Sequence, residues 1–362
     1  MSRIIGLALA AILAVGVVVA VVASLSGNLT PRGTTTVQGV IGSEKQAFFQ
    51  DPDVQAVFHR NGLDVKIDTA GSREIATTVD LSRYDFAFPS GVPAAAKIKA
   101  ERKATATYIP FFTPMAIATF RPIAQLLVAN HVAADQGSYY TFDVQAYLSL
   151  VAKNARWTDL SGNTAYPAGK SVLVTSTDVR TSNSAAMYLS IASYVANGGN
   201  VVSDEATARK LVPQVAPLFL RQGFTESSSD EPFTDYLSIG IGKTPMVVIY
   251  EAQFLARVAA HDRAITPDMV LMYPTPTVLS KHTLVPLKPA GDRVGRLLQN
   301  DRDLQRLAVK YGFHTSDPAA FSGYLKDRGV PAPPQLVNVI EPPAYDPLEA
   351  MITGIDQLAK GT

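Results

Sequence analysis

Apolar and polar positions change period repeatedly along the chain, and each change marks an element. Val37, Val40 and Ile41 lead as a strand into Gly42-Ser43-Glu44, and an amphipathic segment follows. Asp51-Pro52 restarts a helix whose Val54, Val57 and Phe58 share one face, and Asn61-Gly62 stops it. Leu63, Val65 and Ile67 then alternate with Asp64 and Lys66, the period of a strand. Thr69-Ala70-Gly71-Ser72 makes a second polar turn, and Arg73 to Val79 reads as helical. Two adjacent β-to-α turns with Gly-Ser at the helix start place N–H groups and hydroxyls on one rim of a parallel sheet. Open α/β sheets bind ligands on that rim, and helix N-termini favour negative or strongly polar groups. Ser43 and Ser72 also fit ordinary helix capping, and both uses stay open here.

The pattern recurs downstream. Tyr84 to Phe88 is a short strand ending in a third polar turn, Pro89-Ser90-Gly91. Ala104 to Ile109 predicts a strand that runs into IPFFTPMAIATF. Pro110 and Pro114 break this stretch too often for a helix and suit an extended crossing. Ser171 to Thr175 (SVLVT) reads as a strand. Ser182-Asn183-Ser184 stands where the next helix begins and Asn197-Gly198-Gly199 where it ends. A helix is expected from about Glu205 to Gln222, and Glu226 to Asp230 (ESSSD) precedes a shorter one. Pro245 to Glu251 is a strand, Pro267 to Leu287 an extended return, Val294 to Tyr311 one helix and Leu348 to Leu358 the last. This alternation, interrupted by two extended crossings, predicts an α/β fold of two lobes joined by a two-strand hinge. Lobe 1 would comprise 37–112 and 285–362, and lobe 2 would comprise 113–284.

The run from Ile4 to Ala23 is uncharged and follows Arg3. Its twenty residues are long enough to cross a bilayer core of about 30 Å and exceed the usual core of a signal peptide. The expectation is an N-terminal transmembrane helix within 1–26, with a cleaved signal as the alternative. A polar linker at 27–36 follows. Arg3 favours the N-terminus inside, so the chain is expected in the cell membrane as a single-pass protein with its bulk extracytoplasmic.

Composition narrows the chemistry. A chain of 362 residues, 47% hydrophobic, can bury a large core and is expected to divide into two lobes. A net charge of +1 with no Arg/Lys-aromatic run argues against nucleic acid as a partner. The lack of cysteine excludes disulfides, thiolate metal sites and Cys nucleophiles. Gly240 to Thr244 suggests a phosphate loop, but Leu237 stands where its first glycine belongs, and Pro245 follows with a strand. The five histidines show no ligand spacing, and neither a Gly-x-Ser-x-Gly elbow nor a Ser-x-x-Lys motif occurs. The chain is therefore read as a non-enzyme with no cofactor and no metal. Arg73 and Arg180 stand near rim turns and fit an anionic ligand, and Tyr250 at a strand end offers a hydroxyl.

With these residues in place, Thr35 to Phe321 resembles the type 2 periplasmic solute-binding proteins. The likeness is carried by DMVLMYPTPTVLSKHTLVPL, the helix with LLQNDRDLQRLAVKYGF, the strand VVIYE and the GSE and GSR turns. It extends to the oxyanion-binding branch, which includes molybdate binders and holds its ligand by serine hydroxyls, backbone amides and one tyrosine. The resemblance implies ligand-binding roles for Ser43, Ser72, Ser182, Asn183, Ser184, Tyr250 and, less directly, Ser229. Arg73 joins them from its place at the second turn. Glu44 and Glu74 depart from that pattern, because a carboxylate facing the cleft would repel an oxyanion. The implied function is capture of a small polar or anionic solute for an ABC-type importer, with a membrane permease as partner. The alternative is a non-transporting module that docks a membrane-associated partner.

Overall fold

A computed structural model describes residues 33–223, 225–226, 228–331 and 338–361. The apolar run expected to span a membrane lies outside the described residues. None of the described helices is long and apolar enough to cross a membrane.

The strands are β1 (Thr35–Ile41), β2 (Leu63–Thr69), β3 (Phe86–Phe88), β4 (Tyr108–Phe120), β5 (Ala133–Asp135), β6 (Tyr140–Asp143), β7 (Met246–Tyr250), β8 (Met269–Thr275), β9 (Thr277–Pro286) and β10 (Val339–Ile340). They form one mixed sheet in the order β2-β1-β3-β9-β4-β8-β6-β5, with β10 on β9 and β7 on β4. At one end β2, β1 and β3 run parallel, connected by helices, as parallel strands require. β4 pairs antiparallel with β9 through its first half and with β7 and β8 through its second. These two long strands therefore tie the ends of the sheet together.

Both prolines that argue against a helix here lie within the extended strand β4. The β4–β9 register shifts between Tyr108 and Phe111 at Pro110, while Pro114 stays paired with Leu279. The Pro110 carbonyl accepts from Gln305 Nε2 at 3.0 Å. The expected Pro267–Leu287 return is two strands joined through a cis Thr275-Pro276 bond. Two expected helices are each split. The first ends at Val215, and a new turn starts at Pro217, which has no N–H to continue the ladder. The second divides into Pro289–Asn300 and Arg302–Lys310, because the Asp301 side chain caps the Asp303 and Leu304 amides. SVLVT is not a ladder strand. It makes bridges from Ser171 to Arg156 and from Thr175 to Val247, and Tyr147 Oη takes the Val174 amide instead.

One buried apolar cluster lies under β1–β3, built on Phe48, Phe49, Phe86, Phe88 and Phe111, with Val294 and Leu298 from the helix Pro289–Asn300. A larger cluster surrounds the second half of β4 together with β7 and β8. Side chains from Phe321 to Ile355 join this larger cluster. The last helix, Tyr345–Lys360, packs on the helix Glu205–Val215, and also sends Glu349 to Arg73 and Asp356 to Arg180.

Candidate functional site

Where the C-terminal ends of β1, β2, β3 and β7 face one another, a cavity of about 200 Å³ opens. Its lining includes Ser43, Ser72, Ser90, Ser182, Asn183, Ser228, Ser229 and Tyr250. Six of the eight residues expected at the site thus stand around one space: Ser43, Ser72, Ser182, Asn183, Ser229 and Tyr250. The sequence spreads them over more than half its length.

Local sequence explains why helices start here. The helices Ser72–Thr77, Asn183–Ala196, Asp230–Ser238 and Glu251–Ala259 begin at the wall with Gly71, Ser182, Ser229 and Tyr250 as N-caps. None of these caps accepts a hydrogen bond from its helix by a side chain. The capping use of Ser43 and Ser72 does not apply, since glycine occupies both cap positions. The first N–H groups of a helix have no intrahelical acceptor, so several helix starts present donor character to the cavity.

The hydroxyls are held in place. Ser72 Oγ accepts the Ser90 amide at 2.9 Å, which leaves its proton to donate. Tyr250 Oη accepts from Asn183 Nδ2 at 3.0 Å. Asn183 Nδ2 also lies 3.3 Å from the Ser90 carbonyl and from Ser280 Oγ. Ser43 Oγ and Ser228 Oγ meet at 3.0 Å across the opening. Burial pushes the Tyr250 phenol well above its ordinary range, and the Glu44 charge adds to the shift. Tyr250 is therefore a neutral donor rather than a phenolate.

Two expected residues lie elsewhere. Arg73 turns to the last helix, where Nε donates to Glu349 Oε2 at 2.8 Å, and Nη1 donates to the Arg180 carbonyl at 3.0 Å. The hydrogen bond between its guanidinium and Glu349 raises its pKa against the opposing effect of burial. Ser184 lies beneath the wall, its hydroxyl 2.9 Å from Thr177 Oγ1 and 2.9 Å from Ser182 Oγ. As the second residue of the helix, about half a turn past Ser182, its side chain points away from the rim. Arg180 pairs with Asp178 and Asp356.

The flanking glutamates are both engaged within the protein. Glu74 Oε2 accepts the Gly71 amide at 2.9 Å. Glu44 is paired with the adjacent Lys45 ammonium, which solvent does not reach. Lys45 Nζ also donates to Ser90 Oγ at 2.9 Å and lies 3.1 Å from His282 Nδ1, which in turn is 3.3 Å from Glu44 Oε1. Burial alone would raise the Glu44 carboxyl. The Lys45 charge and the His282 contact reverse this and hold it far below the usual carboxylate range. Burial lowers the Lys45 pKa against the pull of Glu44, and takes His282 down to about 4 with the Lys45 charge adding. The pair is a neutral unit, so the carboxylate in the lining does not present a bare negative charge.

Sequence reasoning missed Ser90, Lys45 and His282. The Pro89-Ser90-Gly91 turn was a visible signal for Ser90, being the third polar turn on the same rim. Nothing local marks Lys45 or His282, because their partnership spans 237 positions.

No family model matches the sequence, and no curated protein matches it. Among solved structures, a periplasmic thiamin binding protein superposes with a TM-score of 0.51 at 12% identity, covering 92% of this chain and 99% of its own. The apo ferric ion-binding protein A of Pasteurella haemolytica gives 0.50 at 11% identity, over 90% of this chain and 96% of its own. The sulfate-binding protein SubI from Mycobacterium tuberculosis H37Rv gives 0.48 at 17% identity, over 82% and 93%. At these identities the likeness is one of fold. The chain has the mixed α/β fold of periplasmic substrate-binding proteins, the class its sequence resembles.

Proposed function

We propose that the protein is a membrane-tethered, extracytoplasmic solute-binding protein that closes around a small anion for delivery to an ABC-type importer. The observation that carries this reading is the small cavity where serine hydroxyls, Tyr250 and several helix starts converge. Such a lining offers hydrogen-bond donors without a net positive charge, the arrangement that holds an anion by dipoles. The fold shared with binding proteins for thiamin and ferric ion supports binding rather than catalysis.

In this reading the two ends of the sheet are lobes hinged at β4 and β9, with 37–112 and the part of 285–362 before Phe321 facing 113–284. Phe321, Leu325 and the last helix pack on the larger core, and the last helix also reaches Arg73. Closure of such lobes around a ligand is a hinge motion carried by few residues. The apolar run Ile4 to Ala23 is the tether, with the N-terminus inside.

The test is calorimetric titration of the full chain in detergent with phosphate, sulfate and molybdate. At least one oxyanion should bind and raise the melting temperature. The double variant Ser72→Ala/Tyr250→Phe removes two hydrogen bonds to a charged ligand, each worth about 1.5–3 kcal/mol. It should weaken that binding by at least about a hundredfold with far-UV circular dichroism unchanged. Unaltered affinity in the double variant would remove these residues from the site.

A further inference from the structure

Beside the hydroxyl-lined cavity lies a second chamber of about 550 Å³, and the two share Glu44 and Tyr250 in their linings. Three chain segments pass from one space into the other. Ser43 and Glu44 continue to Ala47, Ser229 and Asp230 to Phe233, and Tyr250 to Ala252 and Ala256. A cavity of about 200 Å³ suits a compact charged group, whereas the chamber falls within the range of organic ligand pockets, about 300–1,000 Å³.

The chamber differs in chemistry from the cavity. Alanines of the helix Glu251–Ala259 make its floor, and Phe233, Tyr311, Phe313 and Tyr324 supply aromatic surface. Its charges are largely answered within the protein. Arg257 pairs with Asp262, Lys310 pairs with Asp51, Asp230 accepts from Gln253 Nε2 at 2.7 Å, and the Arg328 guanidinium lies 3.7 Å above the Tyr324 ring. What remains for a ligand is mainly apolar and aromatic contact.

We propose that the solute is an organic oxyanion, with its charged head in the hydroxyl-lined cavity and an uncharged aromatic or apolar body in the adjoining chamber. This rests on the cleft-binding reading above and adds the class of solute. A bare tetrahedral anion leaves the chamber wet, whereas a flat apolar body against its alanine and aromatic lining removes apolar surface from water.

The test compares inorganic phosphate with phenyl phosphate, and sulfate with benzenesulfonate, by titration calorimetry on the full chain in detergent. The aryl compound of each pair should bind at least about tenfold tighter, since burying a ring outweighs its loss of freedom. Ala256→Leu at the half-buried floor and Thr234→Phe at the exposed mouth both fill the chamber without touching the cavity. Either should erase the aryl preference and leave inorganic-anion affinity unaltered, with far-UV circular dichroism reporting that the variant is folded. Equal or tighter binding of the inorganic member overturns the inference, as does an aryl preference that survives both variants. In those cases the cleft still binds anions. Binding of neither member in either pair overturns the cleft reading, and the chamber proposal with it.

Discussion

The Lys45 ammonium lies 3.1 Å from Nδ1 of His282, at a place solvent does not reach. The same Nδ1 lies 3.3 Å from Glu44 Oε1, so one ring nitrogen faces both the ammonium and the carboxylate. Burial keeps the imidazole neutral, with Nε2 outside this cluster. That Nε2 has no hydrogen-bond partner among the described residues. It sits among aromatic rings, with the Phe313 centroid 5.1 Å from the imidazole and the Phe111 centroid at 5.5 Å. Lys45 thus has one counter-charge, Glu44, with the Ser90 hydroxyl and the neutral His282 ring beside it.

Removing the ammonium alone should therefore be costly. Lys45→Met leaves a carboxylate buried without its partner, and breaking one side of such a pair costs about 3–5 kcal/mol. Adding Glu44→Gln removes the orphaned charge and should recover most of that loss. Urea unfolding of the single and double variants measures it. A double variant no more stable than Lys45→Met would show that the pair does not act as a unit.

His282 sets a pH dependence. Its pKa falls from 6.5 to about 4 because burial and the Lys45 charge disfavour the imidazolium. Between these values the unfolded chain binds a proton that the folded chain refuses, so stability rises with pH across that window. The imidazole contribution is complete above the unfolded value and is lost as pH falls toward 4. At about 1.4 kcal/mol per unit, the loss is on the order of 3 kcal/mol. Glu44 adds to the loss near the lower end, since its unfolded value is 4.5 and its folded carboxyl is held far below that. The His282 contribution is therefore read most cleanly between pH 6.5 and about 5. His282→Phe should flatten the profile of unfolding free energy over that range. A wild-type profile already flat there would contradict the buried neutral imidazole.

Arg73 separates a structural role from a binding one. Its guanidinium holds the last helix through Glu349 and stays out of the cavity. Both partners are part-exposed, so Arg73→Ala should cost no more than about 1 kcal/mol. Oxyanion affinity should remain within about twofold. A tenfold loss of affinity in titration calorimetry would return Arg73 to the site.

The rim was legible because a strand, a Gly-Ser turn and a helix form a local pattern. Ser43 and Ser72 stand at such junctions, whereas Ser182 follows a turn without glycine and Tyr250 ends a strand directly before a helix. Ser184 could not be told from Ser182 by that pattern, since about half a turn of helix decides which hydroxyl faces the cavity. The split at Asp301 was hidden because Leu297, Leu298, Leu304 and Leu307 keep a helical period through the break. Pro110 and Pro114 pointed away from a helix and toward an extended crossing, and the pairing with β9 accommodates both. The partners of Glu44 were invisible for another reason. Lys45 is adjacent to it and looks like a surface residue, and only the fold brings His282 and Ser90 to the same point.

The turns that meet across the opening leave no room at Gly71. A Cβ built there would stand 2.4 Å from the Thr181 carbonyl oxygen, and that neighbour is backbone, which cannot rotate away. Next to it, Arg73 Nη1 reaches the Arg180 carbonyl at 3.0 Å, and Ser43 meets Ser228 at the same separation. Gly71→Ala must therefore push the Thr181 turn outward and lengthen the reach from Ser72 to Ser182. Gly71 has φ −62°, which alanine adopts without strain, so the effect is one of space alone. The overpacking should cost about 1–3 kcal/mol of stability and weaken anion binding by about tenfold or more, because a displacement near 1 Å breaks hydrogen-bond geometry. Small-angle scattering should show a larger radius of gyration than wild type, with less compaction on adding the anion. A Gly71→Ala protein with wild-type radius and wild-type affinity would show that the Gly71–Thr181 approach does not limit closure of the cleft.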